Sequence, residues 1–122
     1  MAVPTVLIVD DEPFIRLGLQ DALESEGFAV VEAEDGSTAL QALAEMPDVS
    51  IMVTDVRMAG MDGLELARIV AERHPRLRII IMSGHADAHD PRIPAGVQFM
   101  RKPFPLLAFA DWLRETCSAA DG

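Results

Sequence analysis

Residues 48–57 read Asp48-Val49-Ser50-Ile51-Met52-Val53-Thr54-Asp55-Val56-Arg57, and they decide the fold. Ile51-Met52-Val53 is an apolar run, Thr54 is polar and β-branched, and Asp55 ends the run with a charge. Met58-Ala59-Gly60-Met61-Asp62-Gly63 follows as a glycine-punctuated loop. A short, almost wholly apolar strand is what a parallel sheet buried on both faces demands. An acid at its C-terminal end stands where open α/β sheets place their ligand sites. Alone, such an Asp serves equally well as a turn former or a helix cap. The segments on either side decide between these roles.

Downstream, Asp62 and Gly63 lead into a helix reaching about His74, with Leu64, Leu66, Ala67, Ile69 and Val70 inward and His74-Pro75 closing it. Leu77 to Met82 is a second strand without clean alternation, ending on Ser83-Gly84. Residues 85–96 hold Pro91, Pro94 and one large aliphatic, Ile93, and so predict at best a single helical turn. Val97 to Met100 is a short strand, Arg101-Lys102-Pro103-Phe104-Pro105 a sharp corner, and residues 105–117 a last helix with Leu106, Leu107, Phe109, Ala110 and Leu113 apolar. The tail from Ser118 is expected to fray.

Upstream, Ser37 to Glu45 reads as a helix with Leu40, Leu43 and Ala44 buried, and Phe28 to Glu32 as a short strand nearer a sheet edge. Pro13 to Glu26 is a helix with Ile15, Leu19, Ala22 and Leu23 on one side and Arg16, Gln20 and Glu24 on the other; Gly27 stops it. Pro13 suits the first helical turn. Val3 to Val9 is an apolar, β-branched strand ending on Asp10-Asp11-Glu12. Strands alternating with helices predict an α/β fold, a parallel sheet covered on both faces by right-handed crossovers.

The 122 residues suffice for one domain, 1–122, with its core at about 3–117. No apolar stretch approaches the ~18 residues of a membrane span. Residues 1–12 carry no basic region resembling a secretory signal. Cys117 is the sole cysteine, so no internal disulfide can form and a reducing cytoplasm is expected. Net charge is −10, without the basic patch that nucleic-acid binding requires, so no nucleic-acid partner is expected, and without an apolar span no membrane insertion is expected. Of the 10 Lys and Arg residues only Lys102 is lysine, a compact charge on a flexible stem.

Four strand ends carry pointed chemistry: Asp10 and Asp11, Asp55, Ser83, and Lys102. In a parallel sheet these ends share one edge, so the residues converge. Carboxylates packed together repel, and a hard cation removes that penalty. Mg²⁺ is typically held by one or two carboxylates together with waters and phosphate oxygens. Lys102 and Ser83 supply a charge and a hydroxyl for a phosphoryl group. A carboxylate can itself be the nucleophile that takes that group. Asp55 has a strand end to itself and is the natural acceptor; adjacent Asp10 and Asp11 suit the metal.

VLIVDDEP, VTDVRMAGMDG, IIIMSG and FMRKPF, in this order and spacing, resemble the response-regulator receiver domain of two-component signalling over about residues 3–117. The resemblance implies a flavodoxin-like, doubly wound five-stranded sheet in order 2-1-3-4-5. It makes Asp55 the phospho-acceptor and Asp10, Asp11, Asp55 and the Arg57 main-chain carbonyl the Mg²⁺ ligands. Ser83 and Lys102 would contact the phosphoryl group, Phe99 would be the aromatic whose rotamer reports the state, and the Lys102–Pro103 bond would be cis. The implied partners are a sensor histidine kinase or histidine phosphotransfer protein, and a downstream protein the sequence does not name. The protein would be a monomer or weak dimer. Its only chemistry would be its own phosphorylation and dephosphorylation, with no output domain within these 122 residues.

Two departures stand out. Ala59 replaces the family's usual Pro, which loosens the loop. Only 18 residues separate Ser83 from Lys102, about one helical turn short of the family, so its fourth helix should be shortened or irregular and residues 85–95 mobile. His85, flanking the cleft, is read as a solvated loop residue or a tuner of phosphoryl lifetime. Two alternatives stay open: an Mg²⁺-dependent aspartyl-phosphate phosphatase, and a receiver-like binding module acting without phosphorylation. Phosphatases of the haloacid-dehalogenase type usually carry a second acid two residues after the first, where this chain has Arg57.

Overall fold

The computed structural model describes residues 4–58, 60–83, 93–94, 96–102 and 105–121, the last five without their side chains. In chain order the elements are β1 (Thr5–Val9), α1 (Pro13–Ser25), β2 (Ala29–Ala33), α2 (Gly36–Glu45), β3 (Val49–Asp55), α3 (Gly63–Arg73), β4 (Arg78–Ser83), β5 (Gln98–Arg101) and α4 (Leu106–Asp121). The strands form one parallel sheet in the order β2-β1-β3-β4-β5. This is the flavodoxin-like architecture expected from the sequence.

Side-chain alternation explains why the inner strands are apolar on both sides. In β1, Leu7 and Val9 face one way and join Met52, Ile79 and Ile81 beneath α2 and α3. Val6 and Ile8 face the other way and join Ile51, Val53, Ile80 and Met82 beneath α1 and α4. Each helix fills its side with a periodic stripe: Leu19, Ala22 and Leu23 from α1, and Phe109, Ala110 and Leu113 from α4. On the opposite face are Ala39 and Leu43 from α2, and Leu64, Leu66, Ala67 and Val70 from α3. β2 and β5 lie at the edges and are only partly covered.

Local chemistry sets the helix ends. Asp35 caps α2 by accepting from the Thr38 amide at 2.8 Å, and Asp62 caps α3 by accepting from the Glu65 amide at 2.8 Å. Gly27 takes a φ of +91° after α1.

Three expectations need correction. Ala44 is exposed, and Gly36, Ala39 and Leu43 form the buried side of α2 instead. Leu107 is 68% exposed, because Phe109, Ala110 and Leu113 take the core stripe and Leu107 falls out of phase with them. The last helix continues through residues 118–121 to Asp121, where fraying was expected; Ala119 and Ala120 are strong helix formers. Val3, Ala59, His85, most of the 85–95 segment and the Lys102–Pro103 bond lie outside the described residues. Ile93, which is described, packs against the α2–α3 side of the core.

Candidate functional site

A parallel sheet delivers every strand's C-terminus to one edge, and the chemistry gathers there. Asp10 follows β1 directly, Asp55 ends β3, Ser83 ends β4, and Lys102 follows β5 directly. Asp55 pairs in register with Met82, one residue before Ser83, and Ser83 with Arg101, one residue before Lys102. The Lys102 amide donates to the Ser83 carbonyl at 2.8 Å, which carries the β4–β5 pairing up to the lysine. From there Lys102 Nζ reaches 3.2 Å from Asp55 Oδ2 and 3.7 Å from Asp10 Oδ2.

The two inner carboxylates are buried, Asp10 fully and Asp55 to 7% exposure; Asp11 is exposed. Each buried carboxylate has one oxygen tied down by backbone. The Glu12 amide donates to Asp10 Oδ1 at 2.8 Å, and the Val56 amide donates to Asp55 Oδ1 at 2.8 Å. The second oxygens, Asp10 Oδ2 and Asp55 Oδ2, are the pair nearest Lys102. Asp10 Oδ2 is buried with no hydrogen-bond partner. A buried carboxylate oxygen left in that state is costly.

Asp10, Asp11 and Asp55 each offer an oxygen, all within 4.8 Å of one another. An all-oxygen, anionic set with an orphaned buried oxygen suits a hard divalent cation such as Mg²⁺. Burial pushes the Asp10 carboxyl above its usual range. The charges of Asp55 and Glu12 add to that shift; the Glu12 amide and Lys102 oppose it.

A raised carboxyl favours the folded state below the unfolded pKa and loses that advantage as pH rises through the folded value. Asp10→Asn should therefore gain stability relative to the wild type, without metal, as pH climbs from about 4 toward neutrality. Paired melting curves in EDTA across that range check this. A pH-independent difference would contradict it.

Ser83 is 1% exposed at the same edge. Arg57 is exposed, two residues past Asp55. Phe99 lies along β5 opposite Ile81, two residues before the Ser83↔Arg101 pair, and packs against the α2–α3 side of the core.

Two contacts escape a reading of the sequence. A methyl group on Gly63 would lie 1.8 Å from the Asp55 carbonyl oxygen, so the first residue of α3 presses on the backbone of Asp55. Arg16, expected on the solvent side of α1, instead donates through Nη1 to the Asp10 carbonyl at 2.6 Å. The glycine directly after the Asp62 cap was a visible signal for the first; nothing local announced the second.

Comparison with known proteins agrees with this layout. Residues 6–108 match the response regulator receiver domain family. Over 121 residues the chain is 40% identical to the sensor kinase CckA of Brucella abortus, covering 96% of this chain and 13% of that protein. It is 41% identical over 106 residues to the DNA-binding transcriptional regulator NtrC of Escherichia coli, covering 83% of this chain and 22% of that protein. The chain thus spans a minor part of each.

Among solved structures, a CheY-like receiver domain protein from Methanospirillum hungatei superposes with a TM-score of 0.87 at 23% identity, over 98% of both chains. TrrA of Thermotoga maritima, in complex with Mg²⁺-BeF, gives 0.84 at 26% identity, over 93% of this chain and 98% of that one. Among the described residues no helix is long and apolar enough to cross a membrane. The sheet order, the acidic edge and the match over residues 6–108 together make the chain a member of the response regulator receiver domain family of two-component signalling.

Proposed function

We propose that Asp55 accepts a phosphoryl group from a phosphohistidine on a donor protein, a histidine kinase or a histidine phosphotransfer protein. Mg²⁺ would be held by Asp10, Asp11, Asp55 and the Arg57 main-chain carbonyl. The observation that carries this reading is Lys102 Nζ set between Asp55 Oδ2 at 3.2 Å and the orphaned Asp10 Oδ2 at 3.7 Å. Similarity to a chain crystallised with Mg²⁺-BeF supports it.

When bound, Mg²⁺ supplies charge neutralisation at the phosphoryl oxygens. The chain's own residues do the rest. An Asp55 oxygen forms the O–P bond as the donor's N–P bond breaks and its electron pair returns to the imidazole. Lys102 holds a phosphoryl oxygen, and the Ser83 hydroxyl donates to another. The product carries roughly −1.5 to −2 charge and three strong acceptors. Drawing Ser83 toward it vacates space beneath β4 that Phe99 fills by turning inward, which alters the surface offered to a downstream protein.

The donor also needs a surface to dock on. Phe14, the second residue of α1, is 88% exposed, Leu17 is 53% exposed, and Leu107, the second residue of α4, is 68% exposed. Both helices begin at the acidic rim. They touch where a methyl group on Gly18 would come within 2.8 Å of Leu106 Cδ1. Apolar side chains standing in water beside a reactive rim suit a protein donor. Phe14→Ser should slow transfer from a phosphorylated donor protein about tenfold while leaving acetyl phosphate labelling intact. Equal slowing with both donors would contradict this.

The chemistry itself is tested with acetyl phosphate and Mg²⁺, followed by intact mass. One added phosphate is expected in the wild type and none in Asp55→Asn. An unlabelled wild type, or a labelled Asp55→Asn, would overturn the reading.

A further inference from the structure

We infer that Arg16 is a positioning residue for the cation site, holding the main chain of Asp10 so that its carboxylate meets the ion. The inference rests on the assignment of Asp10, Asp11 and Asp55 as Mg²⁺ ligands. Asp10 lies one residue past the end of β1, where the sheet no longer supplies partners on both sides: the β1–β3 pairing ends at Val9↔Thr54. Its amide is still satisfied, donating to the Ala33 carbonyl of β2 at 3.1 Å. Its carbonyl has run out of strand. Arg16 supplies the donor, Nη1 to Asp10 O at 2.6 Å, from one turn into α1.

The guanidinium is itself held on the other side, with Nε 3.5 Å from Glu32 Oε1 on β2. The Arg16 side chain is only 18% exposed in this position, so it does not move freely in solvent. The Asp10 amide, carbonyl and Oδ1 are then all fixed, by Ala33, Arg16 and the Glu12 amide respectively. Oδ2 is the one polar atom of Asp10 left for an ion. A planar fork reaches a carbonyl and a carboxylate together, which an ammonium does not do with the same geometry.

A positioning role and a purely electrostatic one have opposite signs. Arg16 is a cation close to a cation site. If only its charge mattered, neutralising it would tighten divalent-ion binding. If it aims Asp10, neutralising it weakens binding, by about 10-fold where such orienting partners have been removed from metal sites.

The experiment is Mn²⁺ titration of the metal-free protein, read from the free-ion EPR signal, alongside melting curves in EDTA. Arg16→Met should raise the Mn²⁺ Kd about 10-fold while circular dichroism shows a folded protein. Arg16→Lys should fall between it and the wild type, at about threefold, as should Glu32→Gln, which frees the guanidinium but leaves its bond to Asp10. An Arg16→Met Kd equal to or tighter than wild type overturns the inference, even if its melting temperature drops. If Arg16→Met does not fold, Arg16→Lys decides: a threefold loss supports the inference and wild-type affinity overturns it. A wild type that binds no Mn²⁺ instead overturns the cation site itself.

Discussion

Gly63→Ala is expected to destabilise the protein by about 3 kcal/mol or more, a fall in Tm of roughly 10 °C or beyond, and to disable phosphorylation of whatever remains folded. The added methyl would lie 1.8 Å from the Asp55 carbonyl oxygen, 2.7 Å from its carbonyl carbon and 2.9 Å from Val56 Cα. All three are backbone atoms, so no rotamer change relieves the contact. The Gly63 amide also donates to the Val56 carbonyl at 2.8 Å, which binds α3 to the end of β3 at the same point. Either α3 lifts away, exposing Leu64, Leu66 and Ala67, or the end of β3 moves and takes Asp55 with it.

Two other substitutions nearby calibrate the effect. Gly60→Ala meets no atom within 4 Å but must hold a φ of +78°, costing about 1 kcal/mol. Asp62→Ala loses the α3 cap, also at about 1 kcal/mol. Thermal melts of the three variants should place Gly63→Ala well below the others. A Gly63→Ala melt within a few degrees of wild type would show that α3 does not approach Asp55 as described.

Lys102→Met separates the two charges that the site brings together. Without the ammonium, Asp55 Oδ2 and Asp10 Oδ2 lose the cation at 3.2 and 3.7 Å, and Asp10 stays fully buried. Breaking a buried pair costs about 3–5 kcal/mol, but the Lys102 side chain keeps 24% exposure, so about 1–2 kcal/mol is expected in the metal-free protein. Divalent-ion affinity should hold or rise, because the acidic set becomes more negative. Phosphorylation by acetyl phosphate should nevertheless fall about 100-fold or more, as when one preorganised charge is removed from a transition state. Tighter ion binding with slower chemistry is the signature. A labelling rate within about threefold of wild type would mean that Lys102 is a structural counter-ion only.

The sheet was legible because its inner strands are nearly pure. Ile51-Met52-Val53 and Ile79-Ile80-Ile81 leave no polar face for solvent, which only a sheet covered on both sides tolerates. Once parallel, that sheet brings Asp10, Asp55, Ser83 and Lys102 to one rim without further information. Helix periodicity carried less. In α4 it could not rank Leu107 below Phe109, and in α2 it favoured Ala44 over Ala39, because small or adjacent apolar residues fit more than one phase.

Gly63 and Arg16 mark a different limit. The glycine reads locally as a helix start, and its reason is a backbone from another element 1.8 Å from where its side chain would be. Arg16 reads as polar and therefore outward, yet its partners are a carbonyl past the end of β1 and a carboxylate on β2. Such contacts depend on which strand neighbours which, and a one-dimensional pattern states that only through the fold.

The most direct measurement is a crystal structure grown with Mg²⁺ and beryllofluoride. The expected density has an ion about 2.0–2.1 Å from carboxylate oxygens of the Asp10, Asp11 and Asp55 set, with the beryllium group on Asp55 and Lys102 Nζ against it. An ion lying elsewhere, or a beryllium group on any residue other than Asp55, would contradict the account.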